Sequence, residues 1–181
     1  LRTVADPADL EQVLSRFRES ALTPLTFDGG IYGLPEQQTY PMMFYRTDVL
    51  TELNYDNPPE TWDDLIDMLP ALQRNYMSVG LILPPTNISP ATEAGHTFAM
   101  LLLQSGKNYN DTQTASTFDS IEAVQAFEKW TDFYTKYSFV QTYDAFSRFR
   151  TGEYPIVIAN YTFFNQLAVA SPEIKGLWDF C

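Results

Sequence analysis

The sequence predicts an α/β fold, a central sheet with helices on both faces. Two observations carry that expectation. Short apolar runs, among them Val79-Gly80-Leu81-Ile82-Leu83 and Pro155-Ile156-Val157-Ile158-Ala159, read as buried strands. Between them lie longer segments with apolar residues at helical spacing, each opened or closed by a capping or turn residue.

The elements follow in order. Asp6-Pro7-Ala8-Asp9 is a helix start, with a cap, a proline at the first helical position and an acid at the third. Leu10, Val13, Leu14 and Phe17 then share a face. Residues 23–35, with Asp28-Gly29-Gly30, read as a hairpin with a glycine turn. Residues 39–45 continue as a strand, and 49–53 as a short helix. Asn57-Pro58-Pro59 is a turn, because neither proline continues a helix. Thr61 is the N-cap of the next helix, with Asp64 at the acidic position of a capping box. Trp62, Leu65, Ile66, Leu69 and Leu72 recur along its inner face, so Trp62 reads as a core residue. A strand is expected at 79–83, stopped by Pro84-Pro85, and a helix at 91–104 with Phe98, Leu101 and Leu102 inward. Asp119-Ser120-Ile121-Glu122 reads as a capping box opening a long helix, its buried face Ile121, Val124, Phe127, Trp130, Tyr134 and Tyr137. A helix at 143–150 stops at Gly152. A strand at 155–159, a helix at 161–170 and a last strand at 176–180 complete the chain.

Composition narrows the function. The 181 residues are enough for a sizeable core, and 45% hydrophobic with 19% charged residues marks a globular chain. Eleven Lys and Arg against 23 Asp and Glu give a net charge of −12, which argues against nucleic acid or an anionic membrane surface as partner. No apolar run reaches the length of a membrane span. One cysteine, Cys181, and one histidine, His96, leave no intrachain disulfide and none of the usual zinc ligand sets. No metal or other cofactor is expected. There is no GxSxG, Walker loop, GxGxxG or Cys–His pair, so no enzyme is expected either. Most acids fall at helix starts, where capping explains them. Counting alone leaves open an Asp/Glu glycosidase pair.

Gly30 to Leu65 holds the most telling wording. An extended Tyr32-Gly33-Leu34-Pro35 leads to Tyr45-Arg46-Thr47-Asp48, then to Pro58-Pro59-Glu60-Thr61-Trp62-Asp63-Asp64-Leu65. Later come Phe149-Arg150-Thr151-Gly152-Glu153-Tyr154-Pro155, then Asn160-Tyr161-Thr162-Phe163-Phe164-Asn165, then Pro172-Glu173-Ile174-Lys175-Gly176-Leu177-Trp178. In this order they resemble the extracellular solute-binding family that includes the maltose-binding-type sugar receptors of bacterial ABC importers. The resemblance implies a periplasmic-binding-protein-like lobe with a mixed central sheet. It assigns residues 1–35 to the end of a first lobe and the hinge strand, and 36–181 to an incomplete second lobe. The opening strands would precede Leu1, and a second hinge crossing and C-terminal helices would follow Cys181. It implies a carbohydrate ligand, an oligosaccharide, held between two lobes, an ABC permease as partner, and an extracellular or cell-surface location. A carbohydrate-active hydrolase domain, or a sensor or protein-docking module reusing the lobe, are the alternatives.

Two segments have the chemistry of a sugar site, aromatic faces beside amide, carboxylate and hydroxyl groups. One is Glu36, Gln37, Gln38, Thr39 and Tyr40, polar residues ahead of an apolar run. A solvated loop would read the same way; the resemblance favours the cleft. The other is Asn160, Tyr161, Thr162 and Asn165, which a strand delivers to a helix N-terminus with free backbone N–H groups. Tyr161 is the expected stacking ring, and Phe164, sharing a face with Leu167 and Ala168, is expected in the core. His96 falls near where the family places a ligand contact, though a lone histidine is more often an ordinary satisfied residue. Asn87, Asn110 and Asn160 head N-x-[ST] sequons, irrelevant in a bacterial source.

Overall fold

A computed structural model describes residues 6–36, 40–81, 90–108, 116–141 and 144–181, with side chains of the fifth helix described from 97 onward. The chain divides into two compact units, Leu1–Tyr40 and Pro41–Cys181.

In the first unit, α1 (Pro7–Leu14) is capped by Asp6, whose carboxylate accepts from the Ala8 and Asp9 N–H groups. A short α2 (Glu19–Leu22) and a 3₁₀ turn lead into a two-stranded hairpin, β1 (Thr26–Phe27) and β2 (Gly30–Ile31). Asp28 and Gly29 both take positive φ, 46° and 71°, the pairing that turns a two-residue hairpin with the strand twist. Leu10, Leu14 and Ile31 form the small core. Phe17, expected on the same face, lies outside that cluster. Tyr32 and Leu34 are exposed.

The second unit is built on a mixed four-stranded sheet in the order β4-β5-β3-β6. The strands are β3 (Pro41–Arg46), β4 (Val79–Gly80), β5 (Ile156–Asn160) and β6 (Trp178–Phe180). β5 runs parallel to β4 and antiparallel to β3, and β3 runs antiparallel to β6. Alternation along the strands divides the core. Ile156 and Ile158 of β5, with Met43 and Tyr45 of β3, face one apolar cluster. Val157 and Phe44 face the other. The first cluster is covered by α4 (Trp62–Arg74), α5 (Pro90–Gln104) and α6 (Ile121–Thr135), the second by α7 (Ala145–Thr151) and α8 (Phe163–Ala170). A short α3 (Thr47–Glu52) follows β3 directly. The α/β architecture with helices on both faces is thus the observed one.

The capping box of α4 forms as written. Thr61 Oγ accepts from the Asp64 N–H at 3.1 Å, and Asp64 accepts from the Thr61 N–H at 2.9 Å. The helix runs on through Pro70, which is exposed and gives Ile66 no N–H to receive. A start this well capped compensates for that lost bond, so Thr61→Ala is expected to destabilise the chain by about 1 kcal/mol in urea unfolding.

α6 departs from expectation twice. Its N-cap is Ser120, whose hydroxyl accepts from the Ala123 N–H at 3.2 Å, so Asp119 and Glu122 form no capping box. Its buried residues are Ala123, Ala126 and Phe133, while Ile121 (64%), Val124 (43%) and Phe127 (54%) are exposed. Steps of three residues rotate about 60° backwards at each step, so a stripe from Ile121 to Trp130 winds to the opposite side of the helix. The small alanines let α6 approach its neighbours instead.

A buried arginine joins β3 to the other end of the unit. Arg46, 7% exposed, pairs through Nε and Nη2 with both carboxylate oxygens of Asp48 at 2.8 and 2.6 Å. Its Nη1 donates to the Phe149 and Arg150 carbonyls at 3.1 and 2.9 Å. Those carbonyls belong to the last turn of α7, closed by Gly152 at φ 81°. A Cβ on Gly152 would meet Val49 and Arg46 only at ordinary contact distance, so it is the left-handed turn that calls for glycine.

Candidate functional site

Sheet topology brings four strand ends together at one edge of the second unit. β4 and β5 end there because they are parallel, and β3 begins there, with Pro41 opposite Asn160. β6 also ends there. Cys181 exchanges both backbone hydrogen bonds with Met43, each 3.0 Å. The end of the parallel β4–β5 pair is thus a carboxyl-terminal one, the side on which α/β sheets bind ligands.

From this edge β5 passes into Tyr161-Thr162 and then α8. Tyr161, 36% exposed, stacks nearly parallel on Phe164, with centroids 5.9 Å apart and planes 9° apart. Phe180 meets it edge-on at 6.2 Å. Phe164 is held in turn by Trp178 at 5.6 Å and Phe180 at 5.5 Å, both T-shaped. Phe44, with no exposure, lies beneath Trp178 and Phe180. One face of the Tyr161 ring is therefore fixed by a packed aromatic stack, and the exposed part of the ring is held in place.

Thr162 and Asn165 are exposed beside it. Asn160 is half-buried, and its Oδ1 is buried without a donor among the described residues. The expected free N–H groups at the start of α8 are partly spent: the Phe164 N–H donates to Tyr161 C=O at 3.0 Å, and the Asn165 N–H to Thr162 C=O at 3.1 Å. Thr162, with helical backbone angles, makes no side-chain cap. What the edge offers is thus an aromatic ring, a hydroxyl and amides. From Asn160 to Asn165 the only ionisable group is the Tyr161 phenol. At the end of β6, burial first and Asp179 second push the Cys181 thiol up, so it stays neutral. A neutral, hydroxylated ligand suits such a surface.

Of the other expected contacts, Glu36 and Tyr40 belong to the first unit, and both are exposed. Gln37, Gln38 and Thr39 lie outside the described residues, as does the side chain of His96, a position within α5. Trp62 was legible only as core. Its ring does pack on Phe133, with centroids 4.9 Å apart, but its Nε1 donates to Gln104 Oε1 at 2.7 Å and it also borders a cavity.

The pattern of the bacterial extracellular solute-binding protein family matches residues 3–176. The chain belongs to this family. A curated binding protein of Brucella abortus (strain 2308) is 26% identical over 180 residues, 95% of this chain. The chain spans 43% of that protein's length. Among solved structures, maltose-bound MalE3 of T. maritima superposes with a TM-score of 0.74 at 26% identity, covering 96% of this chain and 46% of that one. A solute-binding protein of Thermotoga lettingae bound to α-D-tagatose gives a TM-score of 0.76 over 97% of this chain and 48% of that one. At 20% identity that likeness speaks for the fold alone. Family and neighbours are binding proteins, and the family is bacterial and extracellular by description.

Proposed function

We propose that this family member is a sugar-binding component of a bacterial ABC importer, acting outside the cell membrane, and that the chain supplies one wall of its ligand cleft. The supporting observation is the buttressed Tyr161 ring with Asn160, Thr162 and Asn165 around it, at the carboxyl-terminal end of β5. A ring held from behind is preorganised for stacking on the C–H face of a pyranose, and the amides and hydroxyl can take ring hydroxyls. The maltose in a structural neighbour supports an oligosaccharide as ligand. Residues 36–40 supply further polar contacts in this reading, and His96 another. Residues 1–35 are then the end of a first lobe and 36–181 most of the second. Ligand binding would proceed by closure of two lobes about the hinge strand, with the permease reading the closed form. The ligand itself undergoes no reaction.

The test is an NMR titration of the chain with maltotriose. One wall makes only part of the contacts while the full cost of fixing the ligand remains, so binding should be weak, about millimolar. Tyr161→Ala should weaken it about tenfold, and Tyr161→Phe should leave it within about twofold. Equal binding by the Tyr161→Ala variant would remove Tyr161 from the site.

A further inference from the structure

The same edge of the sheet carries a concavity on the face away from Phe164. It lies between the first turn of α4, the sheet and the last turns of α5, and measures about 680 Å³. That volume is within the range of small-molecule sites. Met43 and Ile158 form its floor, Trp62 and Leu65 one wall, Met100 and Gln104 the other. Met42 and Pro41 line it at the edge where Asn160 also ends.

Glu60 is the one charged residue of the lining, and it is exposed. Of the other polar groups, the indole N–H and the Thr61 hydroxyl are engaged within the chain. The Trp62 N–H is bound to Gln104 Oε1, so the indole offers the cavity its apolar ring rather than a donor. Thr61 donates its hydroxyl to Asp64 at 2.7 Å. Cys181 contributes a neutral thiol. Phe133 backs the Trp62 ring. The methionine side chains are flexible and polarizable, suited to aromatic contact. Away from Glu60, a sugar ring lying on the floor and walls would meet Met43, Ile158, Leu65 and Met100, which offer its hydroxyls no strong partner, and burying them unpaired is costly. A flat apolar group would meet a rigid ring on one side and thioethers on the others.

We propose that this cavity is a second ligand subsite, specific for an apolar ring: an aryl substituent of a ligand whose hydroxylated part remains at the sheet edge. The inference goes beyond the sugar-cleft reading and does not need Tyr161 to bind sugar. The methionines are convenient reporters, because Met42, Met43 and Met100 line the cavity whereas Met68 and Met77 do not.

The experiment is methyl NMR on the chain labelled at its methionine methyls, titrated separately with phenyl β-D-glucopyranoside, phenol and glucose. Ring currents from the phenyl group should shift the Met42, Met43 and Met100 methyls and leave Met68 and Met77 in place. Phenol should reproduce these shifts and glucose should not. The aryl glucoside should bind about ten times more tightly than glucose, about 1.4 kcal/mol. Gln104→Trp, at an exposed position on the cavity wall, should suppress the shifts while melting confirms a folded chain. Tyr161→Ala should leave the shifts induced by phenol unchanged; if that variant loses glucose binding while phenol still moves the three methyls, the two sites are separate. Unmoved Met42, Met43 and Met100 methyls, or equal movement of all five, would overturn the proposal.

Discussion

An Arg46→Ala chain is expected to lose about 3 kcal/mol of stability and about 6–12 °C in melting temperature. Three effects add. The Asp48 carboxylate, partly shielded from water, loses its bidentate partner; the Phe149 and Arg150 carbonyls lose a donor; and the tie between β3 and α7 is gone. The loss falls at the low end for a broken buried pair because Asp48 keeps 28% of its side-chain surface in solvent. The pH dependence gives a second reading. Partial burial opposes ionisation of Asp48, but the Arg46 bonds, the Val49 N–H and the nearby positive charge together hold its carboxyl below the ordinary aspartate value. A carboxylate depressed in the folded state contributes stability above its unfolded pKa, about 3.9, and loses it as pH falls towards the folded value. Thermal melts from pH 6 down to about 2 should show that acid-side loss in the parent chain and a smaller one in Arg46→Ala. An unchanged acid profile would mean that Asp48 is stabilised by something other than this pair.

Phe44→Ala is expected to cost about 4 kcal/mol, read as a lower urea midpoint with an unchanged slope. Phe44 is fully buried in β3 between β5 and β6, and it meets Phe163 edge-on at 5.1 Å and Phe180 at 5.8 Å. Its removal leaves a cavity under the rings that support Tyr161. Stability and ligand binding should therefore fall together, although Phe44 has no exposed surface. Phe44→Leu, which keeps most of the volume, should recover much of both. Binding unaffected by Phe44→Ala would show that the Tyr161 ring does not depend on the stack behind it.

Much of the fold was readable because local and tertiary signals agree. Thr61 and Asp64 fix the start of α4 by themselves, and Ile156 to Ile158 could only be a buried strand. The first half of the α6 face was misread, because Ile121, Val124 and Phe127 recur at steps of three, a spacing that winds around a helix rather than along it. Trp130, Tyr134 and Tyr137 do pack, partly buried, on the first cluster. Only packing shows that Ala123 and Ala126 face inward. The site divides in the same way. Tyr161 could be picked from the strand-to-helix junction. Its support could not, since Phe180 lies nineteen positions further on and in another strand. The role of Trp62 at a cavity wall depends on Gln104, 42 positions away, and sequence shows only its apolar helical spacing. The spent N–H groups of α8 follow from a tight first turn that no cap residue announces.

If the sheet edge at Asn160 is a ligand wall, sugar must perturb it. Backbone amide shifts of the isotope-labelled chain, followed through a maltotriose titration with the sugar assayed afterwards, test it directly. Perturbations should concentrate at 160–165 and 36–40 and saturate at about millimolar sugar, with the trisaccharide recovered intact. Perturbations confined to other surfaces, or conversion of maltotriose to smaller sugars, would contradict that role.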